Sequence, residues 1–225
     1  MRTTFGLALL LLLPAAGGDA RRRARETDAP RAPLSTPAQG APESPAPVYR
    51  IDAARSRFEV RAFAGGPLWF KGHDHLIRVK DFAGDVSLAP PRLSLRVRAD
   101  SLAETRDVFT EQQKQIINRE LREIVLEADK YPEIIFESTG VAVERAGGGR
   151  LRAKIEGDLT LHGVTRRITI PAEVTTTGGD ELRARGEFTI SRDDFKVHAT
   201  SAFHGTVRVR DRLKFAFDIV ARKGA

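Results

Sequence analysis

Apolar and polar residues alternate with a period of two along most of the chain from residue 48 onward. Phe58, Val60 and Ala62 alternate with Arg57, Glu59 and Arg61, and Leu93, Leu95 and Val97 with Ser94, Arg96 and Arg98. Leu182, Ala184, Gly186, Phe188 and Ile190 interleave with Arg183, Arg185, Glu187 and Thr189, and Leu213, Phe215, Phe217 and Ile219 form a last stripe. Residues two apart share one face of a strand, so each run is a strand with an apolar face and a charged face. Continuous apolar runs, the mark of a sheet buried on both sides, do not occur. About eight such runs predict an all-β fold, an antiparallel sheet closed into a barrel. Between 77 and 88 the pattern slips: Ile77 and Val79 have one parity, Phe82, Val86 and Leu88 the other. A bend or bulge near Lys80-Asp81 restores a single inner face.

One segment follows a different period. Thr110-Glu111-Gln112-Gln113 reads as a capping box. Ile117, Leu121, Ile124, Val125 and Ala128 follow at helical spacing. Tyr131-Pro132 ends the segment, because a residue before proline is pushed out of helical geometry. A single helix over about 111–128 therefore interrupts the sheet. It is expected to lie across a barrel mouth with Ile117, Leu121 and Ile124 turned inward.

The most regular hairpin is 157–170, Gly-Asp-Leu-Thr-Leu-His-Gly-Val-Thr-Arg-Arg-Ile-Thr-Ile, with Leu159, Leu161, Ile168 and Ile170 on one face and a turn at Gly163. Its arms are long enough for a barrel wall. This stretch closely resembles the hairpin of the YceI-like lipid-binding proteins. Tyr49, Ile51-Asp52, Ser56 and Phe58, then Tyr131-Pro132, Ile134, Phe136 and Ser138, then Ile190-Ser191-Arg192-Asp193-Asp194-Phe195 resemble the family in the same order, across roughly 48–222. The chain departs from the family pattern at Arg55 and Lys196, where a histidine and a glycine are usual. The resemblance implies a lipocalin-like antiparallel barrel holding an isoprenoid or other lipid tail in its lumen. By parity the lumen would be lined by Phe58, Val60, Leu95, Val97, Leu159, Leu161, Ile168, Ile170, Ala184, Gly186, Phe188, Phe215 and Phe217, with Ile190 on the same face. Small residues among them, Ala62, Ala99, Ala153, Gly157, Ala184 and Gly186, leave room for a narrow apolar tunnel.

The N-terminal part follows other rules. Residues 1–20 pair Arg2 with an apolar run from Phe5 to Leu13 and a small-residue exit, the pattern of a signal peptide. Residues 21–47 hold six of the twelve prolines and no apolar period, which predicts a disordered linker before a domain at 48–225. A periplasmic or secreted location follows. Cysteine is absent, so packing rather than disulfides must hold the barrel.

The formal charge of +7 comes from 37 basic and 30 acidic residues, interleaved on solvent faces rather than clustered. Nucleic-acid binding, which wants clustered base with aromatics, is not expected. A weak contact with anionic membrane surface is.

Candidate chemistry is sparse. His73 and His75 flank Asp74, and on a strand both imidazoles would point the same way, toward a metal ion or a polar mouth. Two ligands do not make a site, and a third would have to come from His162, His198, His204 or a carboxylate. His162 has the parity of the outer face and sits in the turn. Asp193-Asp194 diverge on an extended chain, which suits an ion pair with Arg192 rather than catalysis. No nucleophile–base arrangement or phosphate loop occurs. The expected function is therefore an exported carrier of a long-chain amphiphile, with no cofactor and no enzymatic activity. The alternatives are a metal-dependent enzyme or redox-associated protein built on His73 and His75, and a barrel filled by its own side chains.

Overall fold

Each alternating run becomes a strand in the computed structural model, which describes residues 47–198 and 206–224. In chain order the strands are β1 (Val48–Ile51), β2 (Arg57–Gly65), β3 (His75–Val79), β4 (Phe82–Leu88), β5 (Pro91–Arg98), β6 (Leu102–Glu104), β7 (Glu133–Gly147), β8 (Arg150–Leu161), β9 (Val164–Thr177), β10 (Glu181–Ser191) and β11 (Arg208–Lys223). Every pairing is antiparallel. Strands β1 and β2 both pair with β11, β3 and β4 pair with β2 and β1, and β6 and β5 pair with β3 and β4. Each of these couples is one bent stave, so the eleven strands make a closed barrel of eight staves in simple up-and-down order. Closure joins the first strand to the last, with Tyr49 opposite Lys223 and Ile51 opposite Ala221.

The three bends have local causes. In the first stave a 3-10 turn at Ala53–Arg55 is capped by the Asp52 carboxylate, and Ser56 Oγ donates to Asp52 C=O (2.6 Å) while accepting from Val220 N–H (2.9 Å). The bends at Lys80-Asp81 and Ala99–Ser101 hold each other. Lys80 N–H donates to Ser101 C=O, Arg98 N–H to Asp81 C=O, and Asp81 N–H to Ser101 Oγ. The expected break at Lys80-Asp81 is thus present, and Val79 and Phe82 on its two sides are both buried.

The hairpin at 157–170 turns in two residues. His162 (φ 52°) and Gly163 (φ 72°) both take positive φ, the geometry whose twist matches that of paired strands.

The helix differs from expectation. Helix α1 (Glu111–Glu120) begins at the predicted capping box, Thr110 accepting from Gln113 N–H and Gln113 reaching back to Thr110 N–H. It stops at Glu120, and Leu121–Val125 form a wider π turn in which Leu126 N–H donates to Leu121 C=O (2.9 Å). More residues per turn rotate the following side chains. Ile117, Leu121 and Val125 face the interior, whereas Ile124, expected inward, is 57% exposed.

Candidate functional site

The inward stripes enclose a cavity of about 570 Å³, within the usual range for small-molecule sites of about 300–1,000 Å³. One wall is aromatic: Phe188 stacks on Phe215 across β10 and β11 (4.8 Å between rings), and Phe58 and Phe217 extend the same surface. Leu95, Val97, Leu159, Leu161, Ile168 and Ile170 supply aliphatic surface elsewhere around the lumen. Leu95, Ile168, Phe188, Phe215 and Phe217 point inward yet are only partly buried. In a barrel packed solid they would have no accessible surface; here they border empty space.

Phe58, Val60, Leu95, Val97, Leu159, Leu161, Ile168, Ile170, Ala184, Phe188, Phe215 and Phe217 all line this cavity. Gly186 does not. A Cβ there would meet the Pro171 carbonyl oxygen and stand 2.6 Å from Phe217 Cζ, so its cross-strand neighbour's ring covers the slot. Phe136 covers Gly157 in the same way. These two glycines therefore seat aromatic rings and add no lumen space; Ala184 and Ala62 do line the open lumen.

The few polar lining residues lie at the two ends. Ser87 and Arg92 sit beside the β4–β5 turn, while His75, Glu120 and Arg192 sit at the end covered by α1. His75 is held by Glu104, whose side chain is buried. Glu104 Oε2 lies 2.8 Å from His75 Nδ1, and Oε1 accepts from the N–H groups of Leu76, Thr105 and Arg106. Burial alone would raise the Glu104 pKa. The bonds from His75 and from the Arg106 and Leu76 backbone outweigh it and hold the carboxyl below its ordinary range. The carboxylate accepts, so Nδ1 is the imidazole nitrogen that carries the proton. Phe109 stacks on the ring of His75 (5.3 Å, 11°).

Arg192 points the other polar group at the lumen. One terminal nitrogen donates to Val197 C=O (2.7 Å) and lies 2.9 Å from Asp193, while its Nε is buried with no hydrogen-bond partner among the described residues. The following turn, Asp193–Phe195, buries Phe195 and ends on Lys196 with φ 56°. A glycine takes that backbone without strain, which accounts for the residue usual there.

The remaining histidines do not converge. His73 lies in the loop before β3, where strand parity does not apply, because Asp74 turns the chain by accepting from Ala64 N–H. His73 is exposed and meets Phe109 edge-on (5.7 Å), so it does not line the lumen with His75. Among the described residues no three of His, Cys, Asp and Glu gather to hold a metal ion. His162, given the outer face by parity, does not line the lumen and is covered: its Nε2 lies 2.6 Å from Glu127 Oε2 and its ring packs against Tyr131. It clasps the hairpin to the end of the helical segment. His198 is exposed, and His204 lies outside the described residues, as do residues 1–46.

Two of the polar positions carried a readable signal. Glu104 has the parity of Leu102 and is buried, and Arg192 has that of Phe188 and Ile190 and lines the lumen.

Residues 49–221 match the sequence model of the YceI-like domain. A UPF0312 protein of Vibrio parahaemolyticus is 36% identical over 108 residues, 46% of this chain and 51% of that protein. One of Pseudomonas fluorescens is 36% identical over 100 residues, 40% of this chain and 48% of that protein. The chain thus spans about half the length of these curated relatives. Among solved structures, a polyisoprenoid binding domain from Saccharophagus degradans, implicated in plant cell wall breakdown, superposes with a TM-score of 0.58 at 15% identity, over 78% of this chain and 98% of that one. BcnA of Burkholderia cenocepacia does so with a TM-score of 0.57 at 20% identity, over 76% and 98%. At these identities the likeness is one of fold.

Proposed function

The chain belongs to the YceI-like family, and from that premise we propose that it is an exported binding protein whose barrel holds the tail of an isoprenoid or another long-chain amphiphile. The observation that carries this reading is the 570 Å³ lumen with its almost wholly apolar wall. Each methylene moved from water into such a wall contributes about 0.8 kcal/mol, so a tail of a dozen carbons is retained without polar recognition. The barrel is also inside-out relative to a membrane-spanning one, which is apolar outside and polar within. Here Arg57, Glu59 and Arg61, or Arg183, Arg185 and Glu187, face outward.

The polar head belongs at the end covered by α1. There Arg192, His75, fixed by Glu104, and Glu120 form the polar rim that meets a headgroup. On this reading the protein acts by binding. The apolar run from Phe5 to Leu13 supports export to the periplasm or beyond.

Native mass spectrometry of the protein purified from its own cells tests the reading. The expected result is a co-purified lipid mass, released on unfolding, on a chain whose N-terminus falls between about residues 17 and 21. Protein that never carries lipid overturns the carrier role, and an intact Met1 overturns export.

A further inference from the structure

The β2–β3 connection carries the two most exposed large aromatic residues described. Trp69 and Phe70 are 55% and 63% exposed, and their rings form an edge-to-face pair 6.4 Å apart. They are presented by a braced turn. Gly72 N–H donates to Trp69 C=O (3.0 Å), and Leu68 N–H donates to Thr206 C=O (3.1 Å), which ties the loop to the segment before β11. Gly72 itself lies against Val207 and Ala64, where a Cβ would stand 2.7 Å from Val207 Cγ1. The aromatic pair is thus held out in water by a fixed scaffold, where side chains with large apolar area seek an interface.

The flank of this pair is basic. Lys71 follows directly and is exposed, Arg208 is exposed in β11 opposite Gly65, and Arg210 reaches across to donate from Nε to Ala64 C=O (2.8 Å). Lys71 and Arg208 enter no ion pair among the described residues, so no neighbouring carboxylate offsets their charge. Val108, beside the Phe109 ring that touches His73 and His75, adds a further exposed apolar side chain.

We infer that this edge of the barrel is a docking surface for an anionic lipid bilayer, with Trp69 and Phe70 seated at the headgroup level and Lys71, Arg208 and Arg210 on lipid phosphates. Tryptophan and basic residues are the side chains suited to that boundary. The inference rests on the lumen reading: the same end carries α1 and the polar rim of His75, Glu120 and Arg192. Docking there sets the mouth against the membrane, and an amphiphile can pass between bilayer and barrel without its tail crossing water.

The chain has one tryptophan, so its fluorescence reports this loop alone. Mature protein, purified from its own cells, is mixed with vesicles of phosphatidylcholine, with or without phosphatidylglycerol, some carrying bromine on the acyl chains. Docking predicts a blue-shifted Trp69 emission quenched by the brominated lipid, with phosphatidylglycerol present and reduced in high salt. In cosedimentation, Trp69→Ser with Phe70→Ser should weaken partitioning at least about tenfold, and Lys71→Glu with Arg208→Glu should remove the preference for phosphatidylglycerol. All four side chains are exposed, so thermal melting of the variants should match the wild type.

Emission that stays unshifted and unquenched while the protein sediments with vesicles would assign binding to another segment and overturn the inference. So would a blue shift that appears without vesicles and vanishes on dilution, which would make the face a contact between copies of the chain. Lipid content by native mass spectrometry keeps the two readings apart. A variant that has lost docking yet retains its lipid supports a separate docking surface. Protein that docks but never carries lipid overturns the lumen reading alone.

Discussion

Glycines with positive φ turn the chain at both ends of the barrel, in opposite surroundings. At the β7–β8 and β9–β10 turns, Gly147, Gly148, Gly149, Gly178 and Gly179 have no atom within 4 Å of where a Cβ would stand. At the β8–β9 turn, Gly163 has the same kind of backbone, yet its Cβ would stand 2.5 Å from Tyr131 Cε1. The first set only reverses the chain. Gly163 lies under a packed cover made of Tyr131, His162, Glu127 and the helical segment. The long connections, including 66–74 and 105–132, also gather at that covered end, together with the buried Glu104. A scaffold thus closes one end with few residues and keeps its longer, polar segments at the other, where binding groups are usually placed.

The largest effect should come from Glu104. Glu104→Ala removes a buried acceptor from His75 and three backbone N–H groups, a loss of about 3–5 kcal/mol, read as a shifted denaturant midpoint with unchanged slope. Glu104→Gln tests the charge itself. Because the folded pKa lies below the ordinary 4.5, the carboxylate stabilises the fold above that pH and the contribution is lost as pH falls through the folded value. The gap between wild type and Glu104→Gln should be open at pH 7 and close below about pH 4.5; a gap that persists in acid would show that the charge is not the source.

The glycine contrast comes next in size. Gly148→Ala should cost about 1 kcal/mol for its left-handed backbone alone. Gly163→Ala adds the overlap with Tyr131, about 1–3 kcal/mol more. Equal melting shifts for the two variants would erase the difference between the ends.

The smallest effect on stability is expected in the lumen between them. Ala184→Phe places a ring in open space, so it should cost less than the roughly 1–3 kcal/mol of overpacking a filled core, while displacing the co-purified lipid. A variant that keeps its lipid, or one strongly destabilised with lipid never found, would mean that the lumen is occupied by the protein's own side chains.

Much of this was legible in the chain, because alternation records which way a strand residue faces. It gave the stripes, the break at Lys80-Asp81 and the place of the central hairpin's turn at Gly163. It could not show which neighbour leans over a small residue, so Gly157 and Gly186 read as openings although Phe136 and Phe217 cover them. Helical spacing misplaced Ile124 because one π turn changes the angle per residue. The parity assigned to His73 failed because it lies in a loop held by Asp74, and parity could not show that Glu127 and Tyr131 cover His162. Glu104 and Arg192 carried an apolar stripe's parity with a charged side chain, and the structure buries the first and sets the second at the lumen.

The seam joins the two extremes of the domain. Tyr49 is buried there with its hydroxyl on Gly179 C=O (2.7 Å), and its strand partner is Lys223. A chain synthesised from its N-terminus holds β1 unpaired on that side until β11 has been made. Until then the sheet is an open curl with two bare edges and its greasy face to the solvent. The lumen is walled on every side only once β11 has met β1.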